Sequence, residues 1–173
     1  GEQILEPRHY PHVLGEYVKR LVGDYRLVSF SAEVFPFWPF DAPKIYVLDE
    51  LLWDAGQDVD VLLADYFANF YGESAKPMQA FFQRMEDVYR RRKDPFHFFE
   101  GFRRGGFGDW TAADLAAMDG HLAEARALAR DETTALRVRM VDEAWQHIAC
   151  WLRIHIHTGT IETAELKTPD HAR

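Results

Sequence analysis

The chain has 173 residues with a formal net charge of −8. That length gives one domain, or one plus an appendage, and allows a real core; the acidic balance excludes non-specific binding to nucleic acid or to an anionic membrane surface. The single Cys150 excludes an internal disulfide, and with no signal peptide and no run apolar enough to span a membrane, the localisation stays unassigned between the cytoplasm and a secreted or periplasmic setting.

Residues 1–11 are punctuated by proline and read as irregular. Residues 12–22 read as a helix with Val13, Leu14, Tyr17, Val18 and Leu21 on one face, ended by Gly23-Asp24. Residues 25–34 place Val28, Phe30 and Ala32 between polar groups, which predicts a strand closing on Glu33. One strand cannot make a sheet, so its neighbours are expected outside this chain or from a weak partner within it.

Pro36, Pro39 and Pro43 keep the next segment extended. Asp41 is the expected N-cap of a helix running to about Trp53, with Ile45, Leu48, Leu51 and Leu52 inward. Asp58 caps another helix, striped by Val61, Leu62, Phe67 and Phe70 and stopped by Gly72. Ser74 opens a long helix to about Arg92, with Met78, Phe81, Phe82, Met85, Val88 and Tyr89 inward.

Residues 95–109 are rich in glycine, aromatics and arginine and read as a long connection. Thr111 with Asp114 has a capping pattern before a helix of about 112–129. Asp131 caps a last helix of about 132–155, with Leu136, Val141, Ala144, Trp145, Ile148 and Leu152 inward. The wide apolar stripes of the helices at 74–92 and 132–155 predict that these two pack together. Residues 158–173 read as a disordered tail.

Glu33 is the leading site candidate. A carboxylate accepts hydrogen bonds from sugar hydroxyls, and the rings of Phe35, Phe37, Trp38 and Phe40 beside it offer flat faces for the apolar side of a pyranose. On local pattern alone, a strand followed by an ordinary aromatic core is the preferred reading, with Phe37 and Trp38 beneath the following helices. A glycosidase needs two carboxylates with distinct roles. Asp49, Glu50, Asp58, Asp60 and Asp65 fall on helix surfaces or caps, so no catalytic pair is identified.

His147 and Cys150 stand three apart on a helix with His155 and His157 beyond, too few ligands without partners from elsewhere; no metal and no cofactor are expected. Arg103-Arg-Gly-Gly106 in an acidic chain reads as a flexible loop rather than an RNA contact. Arg90-Arg-Arg-Lys93 reads as cations opposing a helix macrodipole.

An ordered series of short motifs carries a resemblance. It begins with Ser31-Ala-Glu33-Val-Phe-Pro36, Ala42-Pro-Lys-Ile-Tyr46-Val and Leu51-Leu-Trp53-Asp54. It continues with Asp58-Val-Asp60-Val-Leu-Leu and Asp65-Tyr-Phe-Ala-Asn-Phe-Tyr71-Gly72, and closes with Ala75-Lys-Pro77-Met78 and Glu86. The series resembles the end of the bacterial glycoside-hydrolase-like family called domain of unknown function 4838, itself similar to (β/α)8 enzymes of the hexosaminidase and α-glucuronidase kind.

The resemblance implies a mostly α chain: a helical C-terminal domain preceded by the last helix–strand unit of a (β/α)8-like barrel. Residues 1–41 would be that terminal unit, 42–157 the helical domain and 158–173 the tail. A complete barrel needs about 200 residues or more. The length, and a first residue that is Gly1 rather than Met, lead to the expectation of a C-terminal portion of a longer protein, or of a processed or engineered chain.

By the same resemblance, Glu33 holds substrate at a strand end, with Trp38 and Phe37 as stacking platforms. The catalytic pair belongs to earlier strands, so the chain alone is expected to be inactive. The implied partner is a carbohydrate, met through the parent barrel, with homo-oligomer contacts through the helical domain. The rival reading is a non-enzymatic helical interaction or scaffold module, in which the Phe and Trp stripes are simply core.

Overall fold

The structure is a computed structural model that describes residues 7–31, 37–92 and 109–167, with side chains to residue 159. Among them are six α-helices and no strand: α1 Pro11–Gly23, α2 Trp38–Trp53, α3 Val59–Tyr71, α4 Ala75–Arg90, α5 Ala112–Leu128 and α6 Glu132–Lys167. A 3-10 turn, Gly72–Ser74, links α3 to α4.

The stripe of α4 is buried as its spacing requires. Met78, Phe81, Phe82, Met85 and Val88 all lose their surface to the core. Helix α5 packs along one side of α4 and α3 along another, and α6 closes the bundle against α5 and α3. The expected direct pairing of α4 with α6 is thereby reduced. The two meet through the rings of Phe81 and Trp145, while α5 and α3 make the broad contacts.

Three predicted caps are present. Asp58 accepts from the backbone N–H groups of Asp60 and Val61 at the start of α3. Thr111 and Asp114 form a reciprocal capping box at the start of α5. Asp131 accepts from the Thr134 N–H at 2.9 Å at the start of α6. All three satisfy N–H groups that a helix cannot pair internally.

The start of α2 differs from expectation. It begins at Trp38, with Phe37 in the cap position, and Asp41 lies inside the first turn. From there the Asp41 carboxylate reaches back to the Phe37 N–H at 2.7 Å. Pro43 stands inside the helix, in its second turn, where its missing N–H forfeits the bond to the Pro39 carbonyl.

The inward faces also differ in places. On α1 the buried residues are Pro11, Gly15 and Val18, while Val13 and Tyr17 face outward. Helix α1 packs on α2 and α3, at a point where Gly15 presses against Val59 and Leu51. On α2 the buried line is Phe40, Pro43, Val47 and Leu51. Val61 of α3 and Leu136 of α6 are exposed. Cys150 is exposed as well, so it is not the small core residue that a lone cysteine usually is.

Residues 25–31, the described part of the predicted strand, form neither helix nor strand. Arg26 takes a left-handed conformation with φ 50°, and the Leu27 N–H closes back onto the Leu21 carbonyl at 3.0 Å. That closure wraps the end of α1 and breaks the alternation. Val28 is 96% exposed, and no described segment offers a ladder to pair with. Helix α6 runs to Lys167, so the segment read as a tail from residue 158 is helical over its first part.

Candidate functional site

Phe37 and Trp38 stand side by side at the N-terminal end of α2, next to residues 32–36; Glu33 and Phe35 lie outside the described residues. Trp38 is 56% exposed and Phe37 is 40% exposed. They do not lie beneath the following helices, as the plainer reading required. Phe40, the third ring of the segment, is buried; Phe37 meets its edge at 5.3 Å and Phe81 lies 6.5 Å away on the other side. The lip is thus two half-open rings on a ring embedded in the core.

Its base is held by polar contacts. Asp41 accepts from the Phe37 N–H through one oxygen and from Lys44 Nζ through the other at 2.7 Å. Lys44 also donates to the Arg8 carbonyl at 3.1 Å and lies 4.5 Å over the Tyr10 ring. Burial holds the Lys44 pKa below its ordinary value, against the pull of Asp41. Tyr10 in turn stacks on Tyr89 of α4 at 4.7 Å. Residues 8–12 therefore form a strap that ties the start of α2 to α4.

Two histidines of the strap sit in opposite electrostatic settings. His9 is buried against Phe82, and its Nδ1 has no hydrogen-bond partner. Burial first, then the charges of Lys44 and His12, push its pKa down to about 3, against a backbone hydrogen bond at Phe40. His9 is a neutral ring in the core.

His12 bridges two carboxylates. Its Nδ1 lies 2.6 Å from Glu86 and its Nε2 lies 3.1 Å from Asp60, and its backbone N–H donates to Glu86 at 3.0 Å. Burial acts against its charge, but the hydrogen bonds and charges of Glu86 and Asp60 outweigh that and raise its pKa. With both ring nitrogens engaged, His12 is an ion-pair partner rather than a free base or nucleophile.

The sequence reading missed this joint. Its one visible signal was Glu86, an acid four residues after Phe82 on the apolar face of α4, which demands a cation from elsewhere. Nothing local names His12 as that cation, because the pair is 74 residues apart in sequence.

Elsewhere, an open groove of about 340 Å³ between α5 and α6 is lined by Leu115, Asp119, Arg153, Ile156 and His157, among others. Its charged groups already have partners: Arg153 donates to Asp119 at 2.6 Å, and Asp119 also accepts from the Trp145 indole. Among the described residues, no group of three His, Cys, Asp or Glu side chains is arranged to hold a metal ion, and no helix is long and apolar enough to cross a membrane.

Comparison of the chain with protein-family models, with curated proteins and with solved structures finds no match.

Proposed function

We propose that the chain is the C-terminal portion of a carbohydrate-active, glycoside-hydrolase-like protein. In this reading the helical bundle is a support, and residues 33–38 contribute to sugar contact. Glu33 is the substrate-holding carboxylate and Trp38 the principal stacking face, with Phe37 beside it. The motif series described above supplies the family. The observation that carries the reading is the 56% exposure of Trp38, on a helix start pinned by Asp41 and Lys44. An exposed indole at a helix start that is held in place offers the flat face that stacking on the apolar side of a pyranose uses.

The second reading, a non-enzymatic helical module, is favoured by a different observation: the described helices close around one continuous core without any sheet. Titration with oligosaccharides containing N-acetylhexosamine or glucuronate separates the two. In the carbohydrate reading, saturable binding weakens about tenfold in Trp38→Ala and in Glu33→Gln, as the loss of a stacking face or of a charged hydrogen bond implies. Binding that is absent, or unchanged in both variants, leaves the helical module. The chain by itself should release no product from any of these sugars, because no acid–base pair is identified in it.

A further inference from the structure

A neutral imidazole has one N–H donor and one lone pair; only the imidazolium has a donor for each of two carboxylates. His12 faces a carboxylate at both nitrogens, Glu86 at 2.6 Å and Asp60 at 3.1 Å. The two are not equivalent. Glu86 is 1% exposed, so water cannot take over its solvation, whereas the Asp60 side chain is 83% exposed and can turn to solvent. His12 is therefore the counter-charge of a buried anion. It stands in the first turn of α1, at the seam where the N-terminal strap meets α3 and α4.

We propose that His12 is a proton-operated clasp: the strap and α1 lie shut on the α2–α3–α4 face while the ring carries both protons, and lift from it when one is lost. Loss of the proton leaves the buried Glu86 anion without its countercharge, a far costlier state than an exposed charge losing its partner. The strap and α1 are the parts that give way because they carry His12 itself. Among the described contacts that hold them are the Tyr10–Tyr89 stack, the Lys44 bond to the Arg8 carbonyl, the buried His9 ring, and the packing of α1 on α2 and α3 at Gly15.

The titratable groups facing the joint set the direction. Asp60 from α3 and Glu86 from α4 favour the imidazolium, and His9, neutral in the strap itself, adds no opposing charge. Lys44 and Asp41 of α2 form their own pair beside His9. The His12 pKa is raised, so the stability it contributes is fully present below about pH 6.5, the ordinary imidazole value, and is lost as pH rises through the raised folded value. Opening is thus an alkaline event. It follows from the joint alone and does not depend on whether the aromatic lip binds a sugar.

Hydrogen exchange on the full 173-residue chain, corrected for intrinsic chemistry and followed from pH 5 to 9, tests the clasp alongside NMR titration of the His12 ring. The opening constant of α1 should rise by up to about tenfold per pH unit once His12 titrates, while α4 and α5 keep their protection. Asp60→Asn, a change at an exposed side chain, should move both the His12 titration and the opening of α1 to lower pH. Glu86→Gln should flatten the α1 response. The clasp is overturned by α1 protection that is constant across the range, by opening that appears equally in α4 and α5, or by an Asp60→Asn variant whose opening stays at the wild-type pH.

Discussion

Phe81 and Trp145 meet edge to face, with ring centroids 5.5 Å apart and planes at 88°, and this contact joins α4 to α6 through the centre of the core. The Trp145 indole is wholly buried and donates to Asp119 at 2.8 Å, so it is packed on its rings and satisfied at its nitrogen. Trp145→Ala should destabilise the chain by about 3–5 kcal/mol, the cost of a large cavity together with a lost aromatic pair. Urea unfolding checks this; a loss below about 1 kcal/mol would contradict the burial of the ring.

Asp114 closes the capping box of α5 and also receives Arg91, from just beyond the end of α4, on its nearly buried carboxylate. Burial acts against its charge, but the bonds from Arg91 and Thr111 outweigh it and hold its pKa below the ordinary carboxylate value. Asp114→Ala should cost about 2–4 kcal/mol at neutral pH, since it removes a cap and leaves Arg91 without its main partner. Asp114→Asn keeps an acceptor and should cost less. A depressed folded pKa means stability that is present above the unfolded value near 3.8 and lost as pH falls below it. The wild type should therefore lose stability below about pH 4 more steeply than Asp114→Asn, which denaturant titrations at pH 3 and 5 would show.

What the sequence disclosed follows from how local each signal is. The stripe of α4 and the caps at Asp58 and Thr111 rest on residues a turn apart, and all three were legible. Helix α3 is apolar on most sides, so periodicity could not decide that Leu62 and Leu63 turn inward while Val61 does not. On α6 the face is set by Val138, Val141, Trp145, Ile148 and Leu152. Leu136 lies about 200° around from Val138 at roughly 100° per residue, so it faces water despite its chemistry. Of the candidate site, the aromatic lip was visible as composition. The His12 joint was not, because His12, Asp60 and Glu86 are brought together only by the packing of α1, α3 and α4.

Gly15 is required by a close approach rather than by its backbone conformation. A Cβ placed there would meet Val59 Cγ2 at 2.6 Å and Leu51 Cδ1 at 3.4 Å. Gly15→Ala gains helix propensity but must push α1 away from α3, and the net loss should be about 1–3 kcal/mol. Pairing it with Val59→Ala removes the obstructing methyl and should recover part of the loss, so the double-mutant cycle should show coupling. Additive losses would place the seam of α1 elsewhere.

His9 should give the strap an acid limit to set against its alkaline one. The ring is buried and neutral, with its pKa pushed down to about 3 by burial and by the charges of Lys44 and His12. Unfolding returns it to about 6.5, so between those values the unfolded chain binds a proton that the folded chain refuses. Stability from this group is full above about pH 6.5 and falls on acidification by up to about 1.4 kcal/mol per pH unit. Between pH 6.5 and 5 the wild type should lose about 1.6 kcal/mol relative to His9→Gln, which cannot titrate. The subtraction cancels His12 and the carboxylates, which both chains share. Urea midpoints at the two pH values supply the measurement, and curves that stay parallel would mean that His9 takes up its proton in the folded chain without opening the strap.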